Sequence, residues 1–285
     1  MKIALVARHV SAPVTASDLY AAEQADHVAG LGKALAAQGH NVVIYARKVA
    51  PGMPDRETLA PGLTARYIKA GPPAPVPADQ LPQHVAEIAR YLAARWRPDT
   101  PDIVHAHHWT SGLAALIAAR EQPVPVIQSF GSLGTAEARY GVPGPRASAR
   151  IRMEACIART VTGVLAAASD EVTELSGLGI PGTRVRVVPC GVDTSRFDPE
   201  GPAAKRQGEL RLLHVGSLAE HAGPARCSRR FPACREPSLS SRAGPAMRSL
   251  TRTSRARSWA SWPPRSASPT VSPSPAGSPA RTCRP

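Results

Sequence analysis

Through residue 216 the chain alternates short apolar runs with stretches of helical periodicity, and that alternation leaves few folds open to it. Strands separated by helices pair in parallel, and a parallel sheet needs helices on both of its faces. The predicted strands fall at residues 2–6, 41–46, 63–68, 103–106, 124–128, 163–167 and 185–188. The predicted helices lie at 25–37, 83–96, 111–119 and 147–160, with a further short one capped by Ser169. Val28, Leu31 and Leu35 share one face of the first helix, and Gly39 follows it as a C-terminal cap. The expected fold class is therefore α/β, a doubly wound parallel sheet over residues 1–192 in which Val104, Ile127 and Val187 are buried. Residues 193–209 are polar and rich in Pro and Gly, as a linker is, and residues 210–222 restart a strand pattern that opens a truncated second domain.

The pattern then stops. The 63 residues from Gly223 onward hold 13 Ser, 12 Arg and 11 Pro but only Phe231, Leu239, Leu250 and Val271 among Leu, Ile, Val and Phe. So little apolar area cannot offset the entropy of ordering a chain, and a disordered tail is expected over 223–285. The charge divides at the same place: 23 basic residues face 20 acidic ones up to Ala222, whereas Glu236 is the single acid of the tail. Clustered Arg attracts phosphate backbones, yet this tail has no Lys and only Phe231, Trp259 and Trp262 for stacking, so no specific nucleic-acid partner is expected.

No apolar run approaches the roughly 18 to 20 residues of a membrane span. The first run stops at Arg8 and His9, too early for a secretory leader, and a cytoplasmic protein is expected. Cys156 and Cys190 stand apart, and Cys227, Cys234 and Cys283 lack zinc-ligand spacing, so neither a disulfide framework nor a metal site is expected.

Open parallel sheets bind ligands beyond the carboxyl ends of their strands, which directs attention to residues 8–12, 105–109, 129–134 and 189–193. No phosphate loop and no dinucleotide fingerprint follows the first strand. His105, His107 and His108 cluster after one strand, a placement that more often lines a ligand loop than holds a metal.

The segment Pro189-Cys190-Gly191-Val192-Asp193, with Phe197 and Pro199 behind it, resembles the interdomain signature of retaining, nucleotide-sugar-dependent glycosyltransferases of family 4, which have the GT-B fold. Residues 101–109, reading Pro-Asp-Ile-Val-His-Ala-His-His-Trp, resemble a second segment of that family, in the branch of the actinobacterial inositol-phosphate N-acetylglucosaminyl transferases and the sucrose-phosphate synthases. The resemblance covers residues 1 to about 221. It implies that residues 1–192 are the Rossmann-like, acceptor-binding N-terminal domain, that the donor is a nucleotide sugar and the acceptor a hydroxyl compound, and that no cofactor or metal is needed. By position it gives acceptor contacts to His9, Gln24, His108 and Ser132. The residues alone leave other roles open: His9 as a loop polar group, Gln24 as a helix cap, and Ser132 as a partner of its own loop backbone.

Several positions depart from the family pattern. Ala22 and Glu23 replace a Gly-Gly pair, Gly131 stands where a His near the reacting sugar is usual, and Ser217 follows Gly216 where a donor-binding Arg belongs. Ala222 occupies the place of the accompanying Lys. The donor site is thus expected to be degenerate at Gly216 and Ser217, and the catalytic residues stay unassigned. Read one base offset, the tail codons can be chosen to give family-like strings at both of its ends, so a frameshift near Ala222 is the preferred account. The function expected is glycosyl transfer by descent with the chain as written inactive. The alternatives are a non-catalytic acceptor-binding subunit and a basic protein that associates with nucleic acid.

Overall fold

The computed structural model describes residues 1–10, 19–140, 145–195, 197 and 199–200. Eight strands form one sheet: β1 (Lys2–Val6), β2 (Asn41–Arg47), β3 (Arg56–Ala60), β4 (Leu63–Ile68), β5 (Ile103–His107), β6 (Val126–Ser129), β7 (Gly163–Ala166) and β8 (Val185–Val187). Their spatial order is β3-β4-β2-β1-β5-β6-β7-β8. Every pair is parallel except β3 with β4. Among the described residues six α-helices accompany the strands: α1 (Leu19–Ala37), α2 (Val85–Trp96), α3 (Trp109–Ala118), α4 (Gly134–Tyr140), α5 (Pro145–Thr160) and α6 (Ser169–Gly177).

The period of two along β1 shows how the sheet is covered. Ile3 and Leu5 join a core with Val42, Ile44, Leu63 and Val28 of α1, against which Leu31 and Leu35 also pack. Ala4 and Val6 point the other way, into a core with Leu92 and Trp96 of α2 and Ala114, Ala115 and Ala118 of α3. Alternate side chains thus feed opposite faces, which is why these strands read as continuous apolar runs. The Ala-rich face of α3 brings its backbone close to the sheet. Gly112 goes further: a Cβ there would stand 1.9 Å from Oε1 of Gln128, a fully buried side chain on β6. Gly112→Ala is therefore expected to destabilise the fold by about 2–3 kcal/mol through overpacking. Gly30→Ala, on an open part of α1, should gain up to about 1 kcal/mol. Thermal unfolding of the two variants checks the contrast, and a harmless Gly112→Ala would show that Gln128 is free to move.

The expected α/β sheet is present, with Gly39 closing α1 at φ 84°. Four details differ. β3 was not legible, because an antiparallel edge strand of exposed Arg56, Glu57 and Thr58 carries no apolar pattern. α4 was likewise missed. Ser169 is the first residue of α6 and not its cap: the cap is Ala168, and Glu171 accepts a hydrogen bond from Ala167 N at 2.9 Å. Val104 is fully buried and Ile127 half-buried, but Val187 is 46% exposed, at the border of the sheet where, among the described residues, β8 pairs with β7 alone.

Candidate functional site

The chain winds outward from β1 in two directions, through β2 and β4 to one side and through β5, β6, β7 and β8 to the other. The loops after β1 and β5 therefore part company, and the crevice between them is where such sheets take ligands. His9 lies in the first of these loops, half-buried. His108 lies in the second, between the end of β5 and the first turn of α3.

His108 carries the strain of that junction. Its φ of 73° with ψ 149° is a conformation that glycine adopts freely and other residues adopt at a cost of about 1–3 kcal/mol. The turn is held by His108 N donating to Ser129 O at 2.9 Å and by Nδ1 sharing a 2.9 Å hydrogen bond with Thr110 Oγ1. The ring is buried, 4% exposed. Its pKa lies well below the usual histidine range, chiefly through burial and then through the positive charges of Arg8, Arg150 and His9. A neutral imidazole thus feels positive charge from two segments, the loop after β1 and α5.

Beside it, His105 Nε2 hydrogen-bonds Ser129 Oγ at 2.9 Å, and its ring lies 4.0 Å from that of His107. His27 of α1 meets His107 edge-on at 5.8 Å. Burial and then His27 push His105 down to about 4, and burial with His105 and His27 holds His107 well below the usual histidine range. Among the described residues no three His, Cys, Asp or Glu side chains form a metal-holding group.

Ser132 is tied into a polar network at the start of α4. Its hydroxyl donates to Glu137 Oε1 at 3.1 Å, while Arg150 Nη2 donates to its carbonyl at 2.9 Å and to its hydroxyl at 3.2 Å. Arg150 also donates from Nη1 to Glu137 Oε2 at 2.6 Å and from Nε to Glu154 Oε1 at 2.7 Å. Glu154 is fully buried and accepts a second bond from Gly134 N at 2.8 Å. Burial alone would lower the Arg150 pKa, but the carboxylates of Glu154 and Glu137 outweigh it and raise it. Gly131, at φ 73°, makes the turn that brings Ser132 to Arg150.

The structure ties Ser132 to Arg150, a residue the sequence reading did not single out, and places His9 and His108 in the loops after β1 and β5. The signal for Arg8 was its place directly after β1; Arg150 stands inside a helix and gave none. Gln24 is half-buried on α1, beside Ala22 and Glu23, and no side chain of the loops after β1, β5 or β6 is bonded to it among the described residues. At the far end of the domain, Asp193 Oδ1 accepts from Ser195 N at 3.0 Å and Ser195 Oγ at 2.6 Å, and Phe197 N donates to Asp193 O at 3.0 Å. This turn is the physical content of the Gly-Val-Asp signature. The donor positions Gly216 and Ser217, most of the expected linker, the second-domain start and the tail lie outside the described residues. No described helix is long and apolar enough to cross a membrane.

A family model described as Glycosyltransferase Family 4 matches residues 24–196. D-inositol 3-phosphate glycosyltransferase of Acidothermus cellulolyticus is 33% identical over 216 residues, covering 70% of this chain and 47% of that protein. D-inositol 3-phosphate glycosyltransferase 1 of Catenulispora acidiphila is 32% identical over 200 residues, covering 69% and 47%. Among solved structures, sucrose-phosphate synthase from Thermosynechococcus elongatus superposes with a TM-score of 0.59 at 23% identity, over 70% of this chain and 50% of that one, a likeness of fold. The chain spans about half the length of the curated relatives it matches.

Proposed function

The chain belongs to glycosyltransferase family 4, and on that premise we propose that residues 1–192 hold the acceptor for hexosyl or aminohexosyl transfer from a nucleotide sugar, with retention. The acceptor inferred is a phosphorylated polyol, the class to which the name of its relatives refers. The observation that carries this reading is geometric: at the strand-order reversal a buried Arg8 follows β1, the buried His108 follows β5, and after β6 the Ser132 hydroxyl is hydrogen-bonded to Arg150. Guanidinium groups already held in place bind phosphate oxygens through short charge-assisted hydrogen bonds without reorganising. Ser132 adds a hydroxyl beside Arg150. The role of Gln24 rests on the family resemblance alone. A cytoplasmic setting, where nucleotide sugars are made, fits this chemistry.

The donor side is proposed to be defective in the chain as written. Transfer needs fixed cations on the departing diphosphate, and Ser217 and Ala222 stand in their places while Glu236 is the single acid that follows. A frameshift near Ala222 accounts for this composition. Titration calorimetry on the full chain tests both halves. D-inositol 3-phosphate is expected to bind at least about 100-fold more tightly than inositol, the worth of one or two charged hydrogen bonds. UDP and GDP sugars are expected to give no binding heat. Equal affinity for inositol and its phosphate would overturn the acceptor reading, and clear donor binding would overturn the defect.

A further inference from the structure

On the α2 and α3 side of the reversal, below the loops just described, lies a cavity of about 20 Å³ whose lining includes Arg8, Arg47, Leu81, Ile88, Thr110 and Ser111. We propose that this cavity is a site for a single monatomic anion of halide size, held between the Arg47 guanidinium and the first turn of α3. The inference goes beyond the glycosyl-transfer reading and does not depend on it.

Arg47 ends β2 and is only 3% exposed. Its Nη1 donates to Pro72 O at 2.7 Å and Ala70 O at 3.5 Å, and Nη2 donates to Ala74 O. All three acceptors are neutral carbonyls, and Nε, also buried, has no partner. Among the described residues no carboxylate pairs with this guanidinium, whereas buried cations are ordinarily paired. Arg8, 7% exposed, lines the same space, and none of the described lining residues is acidic. Burial and then the Arg8 charge lower the Arg47 pKa.

The second half of the site is the start of a ten-residue helix. The N-cap, His108, gives the first-turn backbone N–H groups of α3 no side-chain hydrogen bond; its ring bonds the Thr110 hydroxyl instead. The first-turn N–H groups of a helix have no partners within it and carry roughly half a positive charge between them. Thr110 and Ser111, in that first turn, both border the cavity. An anion here would neutralise Arg47 and complete the helix start together. The volume suits a small guest: about 10–15 Å³ is needed per water-sized centre, so the space takes one atom-sized centre.

Occupancy should tighten the segment from Ala70 to Ala74, because Arg47 is its anchor. The test is thermal unfolding of the full chain in sodium chloride, bromide or gluconate at constant ionic strength, alongside chloride-35 line broadening. Chloride should broaden, be displaced by bromide, and raise the melting temperature by about 5 °C with saturation. Ser111→Asp, which supplies a carboxylate at the same helix turn, should melt at or above the chloride-bound chain and ignore chloride. Arg47→Gln should lose the response. An unbroadened chloride signal, or a melting temperature indifferent to the choice of anion, would show that the cavity holds water only and would overturn the proposal. So would an undiminished response in Ser111→Asp. D-inositol 3-phosphate binding can fail while the chloride response persists, so the two readings fall separately.

Discussion

Between pH 6.5 and pH 4 the domain is expected to lose most of its stability. His105, His107 and His108 are held neutral by burial, with His105 titrating at about 4 and the other two well below the usual value. In the unfolded chain each takes up its proton near pH 6.5. Below that pH the unfolded state binds protons that the fold refuses, so stability is full above pH 6.5 and falls as pH falls toward the folded values. Each histidine contributes a slope of about 1.4 kcal/mol per pH unit, and three together approach roughly 4 kcal/mol per unit, against a total stability of about 5–15 kcal/mol. Burial raises the pKa values of Glu154 and Glu171, which act in the opposite sense and offset part of the loss. Urea midpoints followed by circular dichroism should drop steeply from pH 7.5 to pH 5, and His107→Gln should flatten the slope by about a third. A midpoint constant over that range would show that the rings are hydrated.

Arg150→Met should cost about 3–5 kcal/mol, or roughly 10 °C in melting temperature, because it strands the fully buried carboxylate of Glu154 with Gly134 N as its one remaining donor. The cost belongs to the orphaned charge more than to the lost ion pair. Arg150→Met combined with Glu154→Gln keeps the acceptor for Gly134 N, removes the charge, and should recover more than half of the loss. Thermal unfolding of single and double variants closes the cycle. A double variant as unstable as Arg150→Met alone would place the cost in the missing contacts of Arg150 to Ser132 and Glu137.

The sheet was legible in the sequence wherever burial on both faces imposed continuous apolar runs. β1 and β4 fall on their expected residues, and β5 runs one residue further, through His107. Boundaries slipped where polar residues end an element: α1 begins six residues before the expected start, and α3 two residues earlier, at Trp109. β3 escaped because exposed Arg56 and Glu57 answer to one neighbouring strand and to water, not to a core. The site was half legible. His9, His108 and Ser132 follow strands and could be found by that rule, whereas Arg150 reaches Ser132 from α5, and a contact across 18 residues leaves no mark on local spacing. The left-handed turn at His108 was equally hidden, since it puts a histidine where chain statistics favour glycine.

The two borders of the sheet are finished differently, and this bears on self-association. Any uncovered border strand offers its backbone to a strand from another molecule. β3 deters this with exposed Arg56 and Glu57, and Glu57 also accepts a hydrogen bond from Tyr67 at 2.8 Å that fixes the border to β4. β8 is three residues long with one charge, Arg186, between Val185 and the exposed Val187, and Val188 beyond it is exposed as well. Among the described residues, one margin of the sheet is therefore guarded against sticking by its own side chains, while the other relies on brevity and a single arginine.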